Sequence, residues 1–244
     1  MRNNRRESDR DMLAITGAMN EEIKDIHRIM AVESTDESGD ASIYKGRYKN
    51  KNLLLARTGV GKQKAQAALR SLLNNYPITG IISTGFTGAL IPELKVGDIV
   101  VYSSVICADG LSTDCYDADP RLLSIARECK AIEFRCGLGI TGLNLAASVW
   151  EKRKLNETTS AEVVDMESYW IARVADEYRI PFVIIRSVSD ALVDSLPELS
   201  SWRSREVIPY LLAHPGQGLS LYRAVLRARK NISAFAGYMI DAIG

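Results

Sequence analysis

Histidine is nearly missing: His27 and His214 are the only two in 244 residues. His27 falls in a helical pattern and His214 precedes Pro215, so both read as surface residues. A Ser-His-Asp arrangement needs an imidazole in the pocket and is not expected here. The four cysteines, Cys107, Cys115, Cys129 and Cys136, form no Cys-x-x-Cys pair and have no histidine nearby. Neither a zinc site nor a disulfide framework is indicated. No apolar run approaches the length of a membrane span. The Arg-rich start, MRNNRRESDRDM, is followed by no apolar stretch of signal-peptide type. Residues 1–11 are expected to be a disordered lead-in to a cytoplasmic protein. The net charge is only +1, with no basic stripe carrying interleaved aromatics. That leaves no electrostatic case for nucleic acid or an anionic membrane surface. Any catalysis must rest on carboxylates and backbone dipoles, without metal or cofactor.

What is present fits one compact domain over residues 12–244, at 46% hydrophobic and 25% charged. The most informative stretch is Val163 to Asp190, VVDMESYWIARVADEYRIPFVIIRSVSD. Val163 and Val164 lead in as a strand. Trp170, Ile171, Val174, Ala175 and Tyr178 then recur at helical spacing. Pro181 stops that helix, and Phe182 to Ile185 suit a buried parallel strand. The result is a βαβ unit with acidic groups at the carboxyl ends of both strands, the edge where open α/β sheets bind ligands. Taken singly, Asp165 reads as a turn former or cap and Glu167 as a dipole complement. Together, Glu167 and Asp190 read as two carboxylates facing one pocket.

Upstream, Met12 to Thr16 reads as a strand and Glu21 to Met30 as a helix opening on Glu21 and Glu22. Residues 31–40 are polar and predict an exposed loop. Ser42–Tyr48 and Asn52–Arg57 predict a hairpin. Gly59-Val60-Gly61-Lys62 imitates a P-loop, but Ala56 stands where the first glycine belongs and Gln63 replaces the magnesium-binding hydroxyl. Ile78 to Ser83 predicts a buried strand closed by Thr84-Gly85-Phe86-Thr87-Gly88-Ala89, a turn whose backbone N–H groups can approach an anion or a ribose. Residues 108–119 read as an acidic loop suited to a lid. Gly137-x-Gly139-x-x-Gly142 matches a dinucleotide fingerprint literally, yet apolar Leu138 and Ile140 place these glycines inside a strand. Residues 143–160 read as a polar connection of undefined order. Residues 193–218 read as loop-rich, with a short helix near 207–212. Leu219 to Ile240 predicts one long amphipathic helix.

These pieces, in this order, resemble the nucleoside phosphorylase superfamily, and within it the methylthioadenosine/S-adenosylhomocysteine nucleosidases. The resemblance rests on Gly17-Ala18-Met19-Asn20-Glu21-Glu22, Gly59-Val60-Gly61-Lys62, Ser83 through Gly88, Val96-Gly97-Asp98-Ile99-Val100, Asp165-Met166-Glu167, and Pro181-Phe182 through Ser189-Asp190. It implies a three-layer α/β/α fold around a mixed, partly closed central sheet, assembled as a homodimer. Leu196-Pro197-Glu198, His214-Pro215-Gly216-Gln217 and the basic last helix are similar to hopanoid-associated phosphorylase-like proteins. That similarity implies adenine removal from an adenosylated hopanoid.

The implied chemistry is cleavage of a purine nucleoside at its N-glycosidic bond. Asp190 would protonate N7 of the base, Glu167 would bind the ribose hydroxyls with Met166 packed on the sugar, and Glu22 would position the attacking water. Ser189, Gly85, Phe86, Thr87, Gly88 and Leu145 would line the substrate, although Leu145 stands where relatives carry an aromatic. Asp at 190 suggests adenine, because 6-oxopurine-specific relatives tend to carry Asn. Thr84 occupies the place of the phosphate-binding arginine of purine phosphorylases, which favours water as nucleophile. Phosphorolysis through Arg57 or Arg186 stays open, as does binding of a nucleoside without turnover.

Overall fold

A computed structural model describes residues 11–110, 112–144, 146, 148–194 and 215–243. The predicted tail features at residues 196–198, 207–212 and 214 lie outside them, as does the N-terminal lead-in before Asp11.

Five strands close into a ring: β5 (Ile78–Ala89), β10 (Phe182–Asp190), β6 (Ile99–Cys107), β8 (Phe134–Thr141) and β9 (Val163–Asp165). β5 runs parallel to β10, β6 and β8 are parallel, and β9 returns antiparallel to β5 to close the circuit. The length of β5 makes the closure possible. Its first half also pairs with β1 (Met12–Gly17), and its end reaches β9. From β1 the sheet extends through β4 (Lys51–Arg57) and β3 (Ala41–Tyr48) to β2 (Ala31–Ser38), and a short β7 (Tyr116–Asp117) pairs with β6.

Alternation along β1 sorts two cores. Met12 and Ala14 pack with α2 (Lys62–Asn75) and α5 (Ser168–Glu177). Leu13 and Ile15 pack with α1 (Asn20–Ile29), α3 (Pro120–Arg127) and the last helix, α6 (Pro215–Ala242). Ile232, Phe235, Met239 and Ile240 of α6 are fully buried there, so the amphipathic stripe faces the sheet as its spacing suggested. Helices thus cover both faces of a mixed sheet, as the resemblance implied.

Three expectations need correction or refinement. Residues 31–38 are a strand, not a loop. Almost every side chain of β2 is exposed because it is an edge strand held by its backbone ladder to β3. Its polar residues, with Glu33, Asp36 and Glu37 among them, leave no apolar period to read and discourage edge-to-edge pairing. Second, the stretch 143–160 contains a helix, α4 (Val149–Thr159). Ser148 and Glu151 form its capping box, a signal present in the sequence as Ser-x-x-Glu. Third, part of the acidic segment 108–119 is structured. Tyr116–Asp117 joins the sheet, and Asp119 accepts from the Leu122 N–H to cap α3.

The literal dinucleotide fingerprint is explained by packing. Gly137 and Gly139 lie within β8. A Cβ on Gly139 would sit 2.0 Å from the ring of Tyr102, and one on Gly137 would sit 2.4 Å from the Glu162 carboxylate. The glycines let neighbours pass close to the strand and open no helix.

Candidate active site

The carboxyl ends of β1, β5, β9 and β10 converge, and each carries part of one polar constellation. At the end of β1, Glu22 sits in the first turn of α1, 4% exposed. Its Oε2 accepts from the Met19 N–H at 2.8 Å, and its Oε1 accepts from the Phe86 N–H at 3.0 Å. One residue therefore caps its own helix and binds the glycine turn of β5. Gly85 is required there: a Cβ would lie 3.0 Å from Nη1 of Arg186 and 3.1 Å from Oε1 of Glu22. Burial raises the Glu22 carboxyl above its ordinary value, against the opposing pull of Arg186 and the backbone N–H groups. Its sequence neighbour Glu21 is exposed, so the acidic pair divides into one solvent-facing and one buried member.

Glu167 and the half-buried Met166 follow β9. Glu167 Oε1 accepts from the Gly61 N–H at 2.7 Å. The turn that imitates a P-loop, with Gly59 and Gly61 at φ 82° and 94°, thus offers its backbone N–H to a carboxylate. Burial, then the nearby Asp165 and Glu22 charges, push Glu167 up to about 8.

Beneath both lies a buried ion pair that the sequence did not disclose. Arg186, 2% exposed, donates from Nε to Asp165 Oδ2 at 2.9 Å. Its Nη1 donates to the Ser83 carbonyl, and its Nη2 donates to Ser168 Oγ at 2.7 Å. Asp165 also accepts from Thr141 Oγ1, from Tyr102 Oη and from the backbone N–H groups of Glu167 and Ser168. Asp165 Oδ1 therefore ties down the backbone at the start of α5 through the Glu167 and Ser168 N–H groups. The guanidinium is consumed by this network, which removes Arg186 as a ready phosphate ligand. Arg57 donates to Ser42 Oγ at 2.8 Å.

Asp190 ends β10 opposite Gly88 of β5. It is 5% exposed. Ser189 Oγ donates to its Oδ1 at 2.7 Å. Its Oδ2 faces Nζ of Lys152 at 2.6 Å, and a Cβ on Gly88 would approach that oxygen to 2.9 Å. Burial raises the Asp190 carboxyl, and Lys152 opposes the rise. Thr87 turns its hydroxyl away, to the Val164 carbonyl and Tyr102 Oη, so only its backbone lines this edge. Leu145 lies outside the described residues. Phe86 and Ser189 are half-buried beside the two carboxylate positions.

Sequence reasoning thus brings Glu22, Met166, Glu167, Gly85, Phe86, Gly88, Ser189 and Asp190 to one sheet edge. It missed Lys152 and the Asp165–Arg186 pair. Glu22 docks at Gly85–Phe86 and Asp190 at Gly88, two to three strand residues or roughly 7–10 Å apart along β5. Among the described residues, no group of three or more His, Cys, Asp or Glu is placed to hold a metal ion. Among the described residues, no helix is long and apolar enough to cross a membrane. A cleft of about 520 Å³ lined by Glu93, Arg135, Asn156 and Glu162 lies elsewhere and includes none of these carboxylates.

The sequence profile of the phosphorylase superfamily matches residues 12–208. The chain belongs to the phosphorylase superfamily. It is 31% identical over 196 residues to a 5′-methylthioadenosine/S-adenosylhomocysteine nucleosidase of Buchnera aphidicola subsp. Schizaphis graminum, covering 73% of this chain and 83% of that one. The corresponding enzyme of Staphylococcus epidermidis is 27% identical, covering 73% and 86%. In the same superfamily, the solved structure of the Neisseria meningitidis nucleosidase with methylthio-immucillin-A superposes with a TM-score of 0.80 at 23% identity, covering 95% of this chain and 99% of that one. Futalosine hydrolase of Helicobacter pylori also gives 0.80, at 21% identity and 95% and 97% coverage. Both likenesses show the shared fold.

Proposed function

We propose that this chain hydrolyses the N-glycosidic bond of a 5′-substituted adenosine. The observation that carries the reading is the pair of buried carboxylates held a few residues apart against the carboxyl end of β5, with the nearby guanidinium already engaged. Asp190 donates its proton to purine N7 as the C1′–N9 bond breaks and its electron pair moves to the base. Burial keeps that carboxyl above its ordinary value, as a proton donor near neutral pH requires. Water attacks C1′ and gives a proton to Glu22, whose raised carboxyl is a stronger base than a solvated one. Atoms balance: water enters, and a neutral base and a sugar leave. Glu167 takes the ribose hydroxyls through Oε2, since Oε1 is held by Gly61. Met166 and Phe86 pack beside the sugar.

The two acids dock two to three residues apart along β5, so both can face one bound nucleoside, as two carboxylates flank the scissile bond in glycosidases. The 5′ group is met by residues beyond this frame. The relatives named nucleosidases support water as the nucleophile. A cytoplasmic homodimer remains part of this proposal.

Purified protein incubated with methylthioadenosine, adenosylhomocysteine, adenosine and inosine is expected to release adenine from at least one adenosine derivative, followed chromatographically. Release of hypoxanthine alone would overturn the assignment of the base. No release from any of the four, in protein shown to be folded, would overturn the assignment of these substrates.

A further inference from the structure

Lys152 is the least expected residue near the site. It lies on α4, a helix whose other side chains are exposed or half-buried, yet it is 0% exposed. A lysine is seldom fully buried unless paired. Its Nζ donates to the carbonyls of Ala191 at 2.7 Å and Asp194 at 3.0 Å, and lies 2.6 Å from Oδ2 of Asp190. The ammonium therefore ties α4 to the segment that leaves β10 and to the carboxyl at the end of that strand. Oδ2 is closed to solvent and accepts no aligned hydrogen bond among the described residues, so its partner is the charge of Lys152. Oδ1 accepts from Ser189 Oγ at 2.7 Å.

We propose that Lys152 is a positioning residue for base release: it anchors the rear oxygen of Asp190, leaves Oδ1 to serve the base, and sets the acidity of that carboxyl. The inference rests on the function proposed above. Lys152 exchanges no proton. When Asp190 gives its proton to N7, the carboxylate left behind is buried, and Lys152 is the charge that stabilises it. Among the described residues, the other charged group acting on Asp190 is Asp194, from the segment after β10, which acts in the opposite sense. Gly88 of β5 and Val164 of β9 adjoin it there and carry no charge.

The sign follows. Activity needs Asp190 protonated, so it falls as pH rises through the Asp190 pKa. Removing the cation disfavours the carboxylate and raises that pKa. Lys152→Met is expected to move the alkaline limb of the kcat profile about one to three pH units upward. It is also expected to lower kcat at its optimum by about tenfold to a hundredfold, because the donor becomes a weaker acid. KM stays near that of the unaltered enzyme, and Lys152→Arg keeps the limb near its original position.

In an Asp190→Asn background, Lys152→Met is expected to lower kcat no further. A role in holding the fold alone would lower kcat equally in both backgrounds and leave the limb in place, and that result would overturn the proposal. If Lys152→Met does not fold, Lys152→Gln takes its place under the same criteria, since it is uncharged and still donates to a carbonyl. Base release by the unaltered enzyme with an unmoved limb in the variant sinks this inference only. No base release from any nucleoside by the unaltered enzyme removes the proposed function and this inference with it.

Discussion

Asp190→Asn is expected to lower kcat for base release by about two to four orders of magnitude, with KM little changed. Asparagine keeps the shape of the side chain and can still meet Ser189. It has no proton to give to N7, so the base must leave as an anion. The substitution has a second consequence. Lys152, buried with its ammonium against the carboxylate, would face a neutral amide. Above the Asp190 pKa, where the pair is ionised, losing one partner costs about 3–5 kcal/mol, because the remaining charge is uncompensated; below it the carboxyl is already neutral and the cost is small. At alkaline pH Asp190→Asn should therefore unfold at lower denaturant than the unaltered protein. Adding Lys152→Met should recover much of that stability and none of the activity. Steady-state kinetics and urea unfolding of the same three proteins separate the two effects. Full activity in Asp190→Asn would remove Asp190 from the chemistry.

Arg186→Met is expected to destabilise the protein by about 3–5 kcal/mol. The Asp165 carboxylate would keep its hydrogen bonds from Thr141, Ser168 and Glu167 but lose its counter-charge in a fully enclosed place. Ser83 and Ser168 would lose their donor as well. Glu22 and Glu167 both feel the guanidinium, so both carboxyls should rise further without it. The expected readout is a lower urea midpoint with an unchanged slope. A different outcome distinguishes the alternative chemistry. If Arg186 instead bound phosphate, its loss would leave stability nearly unchanged and selectively abolish a phosphate dependence of the rate.

Much of this site is visible in the primary structure because its parts are local. Glu22 follows the turn opened by Gly17 at a strand end, Glu167 opens a helix, and Asp190 closes an apolar run. Each can be placed by period and punctuation alone. The glycines of β8 were legible as strand residues because Leu138 and Ile140 alternate with them. What escaped depends on contacts distant in sequence. Arg186 at the end of an apolar strand looks like a pocket cation, and only the folded chain shows Asp165 claiming it from 21 residues away. Lys152 looks like one more charge on a polar helix, since α4 buries no other side chain and so has no apolar stripe to orient it. β2 escaped for a related reason: an edge strand exposed on both faces carries no alternation. Ring closure depends on β5 pairing with β10 along Ile81–Gly88 and with β9 at Gly88–Ala89, a pairing no single segment encodes.

The central claim is that water, delivered at Glu22, takes the place of phosphate. The most direct measurement is the mass of the sugar released from a cleaved adenosine derivative in ¹⁸O-labelled water, run with and without inorganic phosphate. The account predicts free sugar carrying one ¹⁸O at C1′, formed at the same rate in both conditions. A sugar 1-phosphate, formed only when phosphate is present, would contradict it.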